Sequence, residues 1–150
     1  KNIETARVTL NVGLGTFASL KEENFETGKL HGEWVTVSEA TAKRLRAAKT
    51  RHQPIIAVGT TTTRTLETLA KQSAMQALTT KANLFIYPPY QFQMVDILIT
   101  NFHLPKTSLM LLVDAFLQSK GAKRGVMELY REAMKQKLAF YSFGDSMLIL

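Results

Sequence analysis

The sequence predicts an α/β fold: a largely parallel sheet flanked by helices, in a chain that is an incomplete part of a longer protein. Three observations lead there. Short apolar, β-branched runs alternate with helix-patterned segments, the order typical of parallel sheets. At 150 residues, 45% hydrophobic and 21% charged, the chain has the size of one domain or part of one and can bury a core. It also begins at Lys1 and enters a strand-like run at Arg7. That opening suits the interior of a longer protein better than a natural amino terminus.

Taken in order, residues 6–12 read as a strand closed by Gly13-Leu-Gly15-Thr16. Trp34-Val-Thr-Val37 is a second extended run. Ser38 can cap a helix reaching about Lys49, with Glu39 in its first turn and basic residues in its last, as the helix dipole favours. His52-Gln-Pro54 breaks the chain. Ile55-Ile-Ala-Val58 is short and β-branched, and is expected to be a strand buried on both faces. Gly59 then opens a threonine-rich helix start at Thr60–Thr63, with Leu66, Leu69 and Ala70 on its apolar side. Leu84-Phe-Ile-Tyr87 is strand-like and is stopped by Pro88-Pro89. Ile97-Leu-Ile-Thr100 is the next strand. Thr107 or Ser108 caps a helix that is apolar nearly all round and therefore expected inside. A last helix, about Lys123 to Leu138, places Val126, Tyr130, Ala133 and Met134 on one face. Phe140–Leu150 reads as two short strands around Gly144-Asp145.

Composition excludes several function classes. With no cysteine, disulfide frameworks, thiolate zinc sites, iron–sulfur clusters and cysteine nucleophiles are out. The most apolar stretch, Ser108 to Leu117, carries Asp114 and falls far short of the roughly 20 residues a bilayer span needs. No membrane association is expected, and without a signal-like start the expected compartment is the cytoplasm. The sequence specifies no oligomeric state. Nineteen basic against twelve acidic residues give a net charge of +7, the usual footprint of a polyanionic partner. Lys43, Arg44, Arg46, Lys49 and Arg51 crowd one window with no acid among them, which makes it the candidate RNA-binding surface. A solvated helix face is the simpler alternative. The second basic group, between Lys120 and Lys137, is diluted by Glu128 and Glu132 and reads as such a face.

In open α/β sheets, ligands bind outside the carboxyl ends of the strands. Three loops here follow expected strands: Gly13–Phe17, Gly59–Arg64 and Thr100–Pro105. In the second, glycine allows a sharp strand-to-helix turn and the free N–H groups of the first turn attract an anion. Threonine hydroxyls and Arg64 would add donors. An ordinary capped turn explains the same spacing equally well, and the Gly-Lys-Ser/Thr ending of a phosphate-binding P-loop is missing. His31-Gly-Glu33 offers an acid/base pair on one face of an extended strand, or a plain surface pair. It lacks the cysteines of a zinc deaminase, and no metal is expected. Asn101-Phe-His103-Leu-Pro105 places an amide and an imidazole just before the buried helix, suited to orienting a polar ligand.

Five segments carry a resemblance. Val8-Thr-Leu-Asn-Val-Gly-Leu-Gly-Thr-Phe17, Leu30-His-Gly-Glu33, Ile56-Ala-Val-Gly-Thr-Thr-Thr-Thr-Arg-Thr-Leu-Glu67, Asp96-Ile-Leu-Ile-Thr-Asn-Phe-His-Leu-Pro105 and Tyr141-Ser-Phe-Gly-Asp-Ser-Met147 occur in this order. The chain resembles, over essentially its whole length, the S-adenosylmethionine:tRNA ribosyltransferase-isomerase family of queuosine biosynthesis. The resemblance implies a carboxyl-terminal portion, with the amino-terminal segment and an inserted β-barrel domain absent. It also implies transfer of the ribosyl part of S-adenosylmethionine to 7-aminomethyl-7-deazaguanine in a tRNA anticodon. The ribosyl group is isomerised to give epoxyqueuosine, and adenine and methionine are released. S-adenosylmethionine is then a substrate, with no metal or prosthetic group, and tRNA is the partner. By the same implication Gly13, Gly15, Thr16, Phe17, Gly59, Thr60, Thr61, Arg64, Thr100, Asn101 and Asp145 bind substrate. His31, Glu33 and His103 are the candidates for proton transfer. Asn11 stands where the family usually has histidine, Ala18-Ser19 follows Phe17, and Ala139 stands where arginine is usual. These departures suit an alternative, a diverged or truncated, non-catalytic RNA-binding module of the same fold.

Overall fold

The protein, described by a computed structural model over residues 3–13 and 19–150, sorts its strands into two three-stranded sheets instead of one. The first sheet joins β1 (Thr9–Leu10), β2 (Lys29–Val37) and β4 (Leu78–Leu84) in that order, all antiparallel. The second has the order β3 (Ile56–Val58), β5 (Ile97–Asn101), β6 (Ser146–Ile149). There β3 and β5 are parallel while β6 runs back against β5. The expectation of a largely parallel sheet is thus corrected: among the described residues, parallel pairing is confined to β3 and β5. Strand–helix alternation constrains connections between neighbours in sequence. Here β2 instead reaches past α2, β3 and α3 to pair with β4, and that long-range choice carries no local signature.

The helices are α1 (Glu22–Thr27), α2 (Glu39–Thr50), α3 (Thr60–Ala70), α4 (Ser108–Ser119) and α5 (Val126–Lys135), with a 3-10 turn at Tyr141–Phe143. Ser38 caps α2 as expected, its hydroxyl oxygen accepting from the Thr41 amide at 3.2 Å. Thr107 caps α4 in the same way through Met110. The apolar α4 lies inside, with Leu112, Val113 and Phe116 in the core. Its half-buried Asp114 accepts from the Val126 amide and so fixes where α5 begins.

Several expected elements shift. The first strand shrinks to Thr9–Leu10, and α1 was not anticipated. β4 ends at Leu84, where the expected strand starts; Phe85 and Ile86 are buried without joining a ladder. Met134 points to solvent instead of sharing the buried face of Val126, Tyr130 and Ala133. The tail holds one strand and a 3-10 turn, not two strands.

α3 is the organising rod. Its Glu67 carboxylate, fully buried, accepts hydrogen bonds from the amides of Gln93, Met94 and Val95 and from the Tyr90 hydroxyl. These donors repay the desolvation that an isolated buried carboxylate would suffer, and they hold the segment that delivers the chain to β5. Burial, followed by the carboxylate's charge, pushes the Tyr90 phenol well above its usual range.

β3 is an edge strand and not, as expected, buried on both faces. Ala57 faces the core, but Ile56 is 43% and Val58 66% exposed. Register places Ile97 beside Ile56, and Ile99 beside both Val58 and Leu148, the last 59% exposed. One face of the second sheet is therefore a continuous apolar surface open to water. Such surfaces drive association. Sedimentation velocity of this chain should show self-association that Val58→Thr with Leu148→Thr shifts toward monomer; an unchanged distribution would refute the role of this face.

Candidate active site

The parallel pair β3–β5 ends on one edge, and a cleft of about 370 Å³ opens there. Its walls are the first turn of α3 (Gly59, Thr60, Thr61), the end of β5 (Thr100, Asn101), the loop to α4 (Phe102, His103, Leu104) and the turn at Tyr141 and Ser142. This is where the strand-end rule places a ligand.

Gly59 makes the turn possible. Its φ of +95° lies in the region that side chains disfavour, and its amide donates to the Ile99 carbonyl at 2.8 Å, locking the end of β3 to β5. The α3 N-terminus that follows has no side-chain cap. Thr62 and Thr63 spend their hydroxyls on the carbonyls of Val58 and Gly59, behind the turn. That leaves the backbone amides of the first turn, carrying about half a positive charge, without a side-chain cap at the edge of the cleft. Thr60 and Thr61 line it directly.

His103 is held at two points. Its Nε2 lies 3.0 Å from the hydroxyl oxygen of the buried Thr100, and its backbone amide donates to the Tyr130 hydroxyl at 2.9 Å. Tyr130 in turn packs edge-on against Phe102 and Phe140, which stack on each other with centroids 4.8 Å apart. Burial lowers the His103 pKa from its ordinary 6.5, so the ring is neutral at neutral pH and able to accept a proton. The same burial raises the Tyr130 phenol. Asn101 donates through Nδ2 to the Tyr141 carbonyl at 2.7 Å, and the Tyr141 amide donates to Phe102 O, so the facing wall is hung on the β5 loop.

The structure gathers Gly59, Thr60, Thr61, Thr100, Asn101 and His103 around this cleft, while Gly13, His31, Glu33, Arg64 and Asp145 are not among the described residues that line it. Arg64 turns inward: it is 2% exposed, with Nη1 2.8 Å from Glu33 Oε2. Glu33 Oε1 also accepts from the Gly13 amide at 3.0 Å. The pair thus ties α3 to β2 and to Gly13. His31 is exposed on β2, where a register shift between Lys29 and Glu33 breaks strand alternation and parts it from its buried neighbour. Asp145 closes the turn below the wall, its carboxylate accepting from the Ala139 amide at 2.8 Å and its own amide donating back to Ala139 O. Gly144 lies so close that an added Cβ would stand 2.2 Å from the Ala139 methyl. Gly15, Thr16 and Phe17, like Ala18, lie outside the described residues.

In the basic window, two guanidiniums already have protein partners. Arg44 donates to Thr5 O, and Arg46 binds Met75 O and the Glu39 carboxylate. Hydrogen bonds from Arg46 and from the Ala77 amide hold Glu39 below its usual pKa. Lys43 and Arg51 are exposed and Lys49 is half-buried. Sequence reasoning did not single out Tyr130, Tyr141 or Ser142. The last two sit in a quoted motif, which was their available signal; Tyr130 had only its place on an apolar helix face. Among the described residues, no three His, Asp or Glu side chains cluster to hold a metal, and no helix is long and apolar enough to cross a membrane.

Two outcomes follow from this geometry. Because folding lowers the His103 pKa, stability carries its full contribution above about pH 6.5 and loses it as pH falls through the lowered folded value. His103→Gln should therefore flatten the acid side of a plot of urea midpoint against pH; coincident profiles would exclude the effect. Glu33→Gln strands the buried Arg64 charge and should cost about 3–5 kcal/mol in urea unfolding. A loss under about 1 kcal/mol would show that the pair is not the tie described.

The comparisons with known proteins agree with one another. The family described as queuosine biosynthesis protein matches residues 1–149. The S-adenosylmethionine:tRNA ribosyltransferase-isomerase of Thermotoga petrophila is 50% identical over all 150 residues, and that of a Nostoc species 47%. A crystal structure of S-adenosylmethionine tRNA ribosyltransferase from Thermotoga maritima superposes with a TM-score of 0.76 at 44% identity, over 97% of this chain. The chain spans 44% of the Thermotoga petrophila relative, 37% of the Nostoc one and 44% of the crystallised chain. By a match that runs almost from end to end, the chain belongs to the queuosine biosynthesis protein family.

Proposed function

We propose that this chain is the carboxyl-terminal, cleft-bearing portion of an S-adenosylmethionine:tRNA ribosyltransferase-isomerase. In the reading put forward here, the ribosyl group of S-adenosylmethionine passes to 7-aminomethyl-7-deazaguanine in a tRNA anticodon and is isomerised to epoxyqueuosine, releasing adenine and methionine. The observation that carries it is the cleft at the ends of β3 and β5, where a neutral imidazole and uncapped helix amides face the same space. Activating the ribose 5′ carbon beside a sulfonium requires removal of a proton, and His103 is the candidate base best placed for it. His31 is exposed outside the cleft, and Glu33 is engaged with Arg64 and Gly13. The uncapped α3 amides suit the substrate's carboxylate or ribose oxygens. Thr100 orients the His103 ring, and Asn101 sets the wall opposite. The relatives' names do not favour the alternative of a non-catalytic RNA-binding module.

In a full-length protein, with S-adenosylmethionine and an anticodon stem-loop carrying the modified base, His103→Ala should cut adenine release about 100-fold or more. Turnover within a few-fold of the parent would remove His103 from the role. These 150 residues alone are expected to give no multiple turnovers, because reacting groups must be held to within about 0.5 Å by a complete shell.

A further inference from the structure

A second cleft, about 310 Å³, lies between the β2–β4 pair and the carboxyl end of α3. Three lysines line it, Lys29 from β2, Lys71 from the end of α3 and Lys81 from β4, alongside Thr68 and Asn83. No acidic side chain lines it, and none of the three lysines belongs to an ion pair among the described residues. The carboxyl ends of α1 and α3 border the cleft and bring at most about half a negative charge each. Against three ammonium groups, the cleft keeps a net charge of about +2.

Trp34, the chain's one tryptophan, is 50% exposed on the outer face of the first sheet and is linked to the cleft's rim through Lys81. Trp34 is the register partner of Lys81, whose Nζ lies 5.7 Å from the ring centroid. A lysine-lined groove next to a solvent-facing indole pairs phosphate contacts with a stacking surface for a base. The basic face of α2 is the poorer candidate, since Arg44 and Arg46 are committed within the protein.

We propose that the Lys29–Lys71–Lys81 cleft with Trp34 is the surface that grips the RNA backbone. This rests on the proposed function only in taking the RNA to be tRNA. The two clefts sit at opposite ends of α3, whose eleven residues span about 16 Å. That is about five phosphate steps along one strand of a duplex. An RNA gripped at the lysine cleft can therefore reach the His103 cleft within one stem-loop.

Trp34 supplies the readout. Titrating the 150-residue chain with an unmodified anticodon stem-loop should quench its fluorescence, with no need for S-adenosylmethionine or turnover. The triple variant Lys29→Ala, Lys71→Ala, Lys81→Ala should bind at least ~10-fold more weakly at equal salt. The slope of log affinity against log salt should become shallower by about 2. All three side chains are exposed, so a parental urea midpoint will confirm the fold. The matched variant Lys43→Ala, Lys49→Ala, Arg51→Ala should bind more tightly than the cleft variant and keep the full quenching amplitude. Greater loss from the α2 variant would overturn the proposal, as would unquenched Trp34 at saturating RNA. Equal quenching by phosphatidylserine vesicles would overturn it too, by showing undirected attraction to anions. Failure of adenine release with quenching intact would count against the enzymatic reading alone.

Discussion

Burying Arg64 and Glu67 within one turn of α3 obliges the surrounding chain to answer two charges, and much of the architecture is that answer. Arg64 is met by Glu33 on β2, which fastens α3 to the first sheet. Glu67 is met by three consecutive amides and a phenol, which fastens α3 to the segment feeding the second sheet. An uncompensated charge at either place would cost several kcal/mol, a large share of a typical domain's stability. Among the described residues, the two sheets share no hydrogen-bonded ladder. The helix between them relates one to the other.

The cleft inherits its shape from this arrangement. With α3 pinned along its length, its amino end cannot drift from β5, and the Gly59 amide seals the corner. His103 is fixed in turn by an aromatic cluster belonging to α5 and the tail, elements distant in sequence. The imidazole thus sits on a loop yet is positioned by packed rings, the rigid support a proton-transferring group requires.

Much of the site was legible because its signals are local. A glycine between an apolar run and a threonine-rich helix start, or an amide and an imidazole ahead of an apolar helix, is written within a few residues. The Ser38 cap is equally local. Partner choice was not legible. Nothing in Leu78–Leu84, polar at Thr79, Thr80, Lys81 and Asn83, announces pairing with β2. The apolar run at Ile55–Val58 reads identically whether the strand is central or at an edge. Arg64 illustrates the same limit: its place beside Thr60–Thr63 suggested a ligand, whereas its charge is answered by a carboxylate thirty-one positions upstream, as the residue numbers 64 and 33 give. The departures at Asn11, Ala18 and Ala139 also separate here. Ala139 packs so close to Gly144 that a Cβ at Gly144 would meet its methyl, Asn11 extends the β1–β2 ladder through its backbone amide, and Ala18 lies outside the described residues.

The wall at Tyr141 and Ser142 is suspended by main-chain atoms: the Tyr141 carbonyl and amide hold it to the β5 loop, and Asp145 closes it from below. The Tyr141 ring adds an edge-on contact with Phe140, centroids 6.1 Å apart, whereas Ser142 lines the cleft. Substitution at Ser142 can therefore reshape what the cleft admits while these main-chain ties stay in place, so the lining of the cleft and its support are separable.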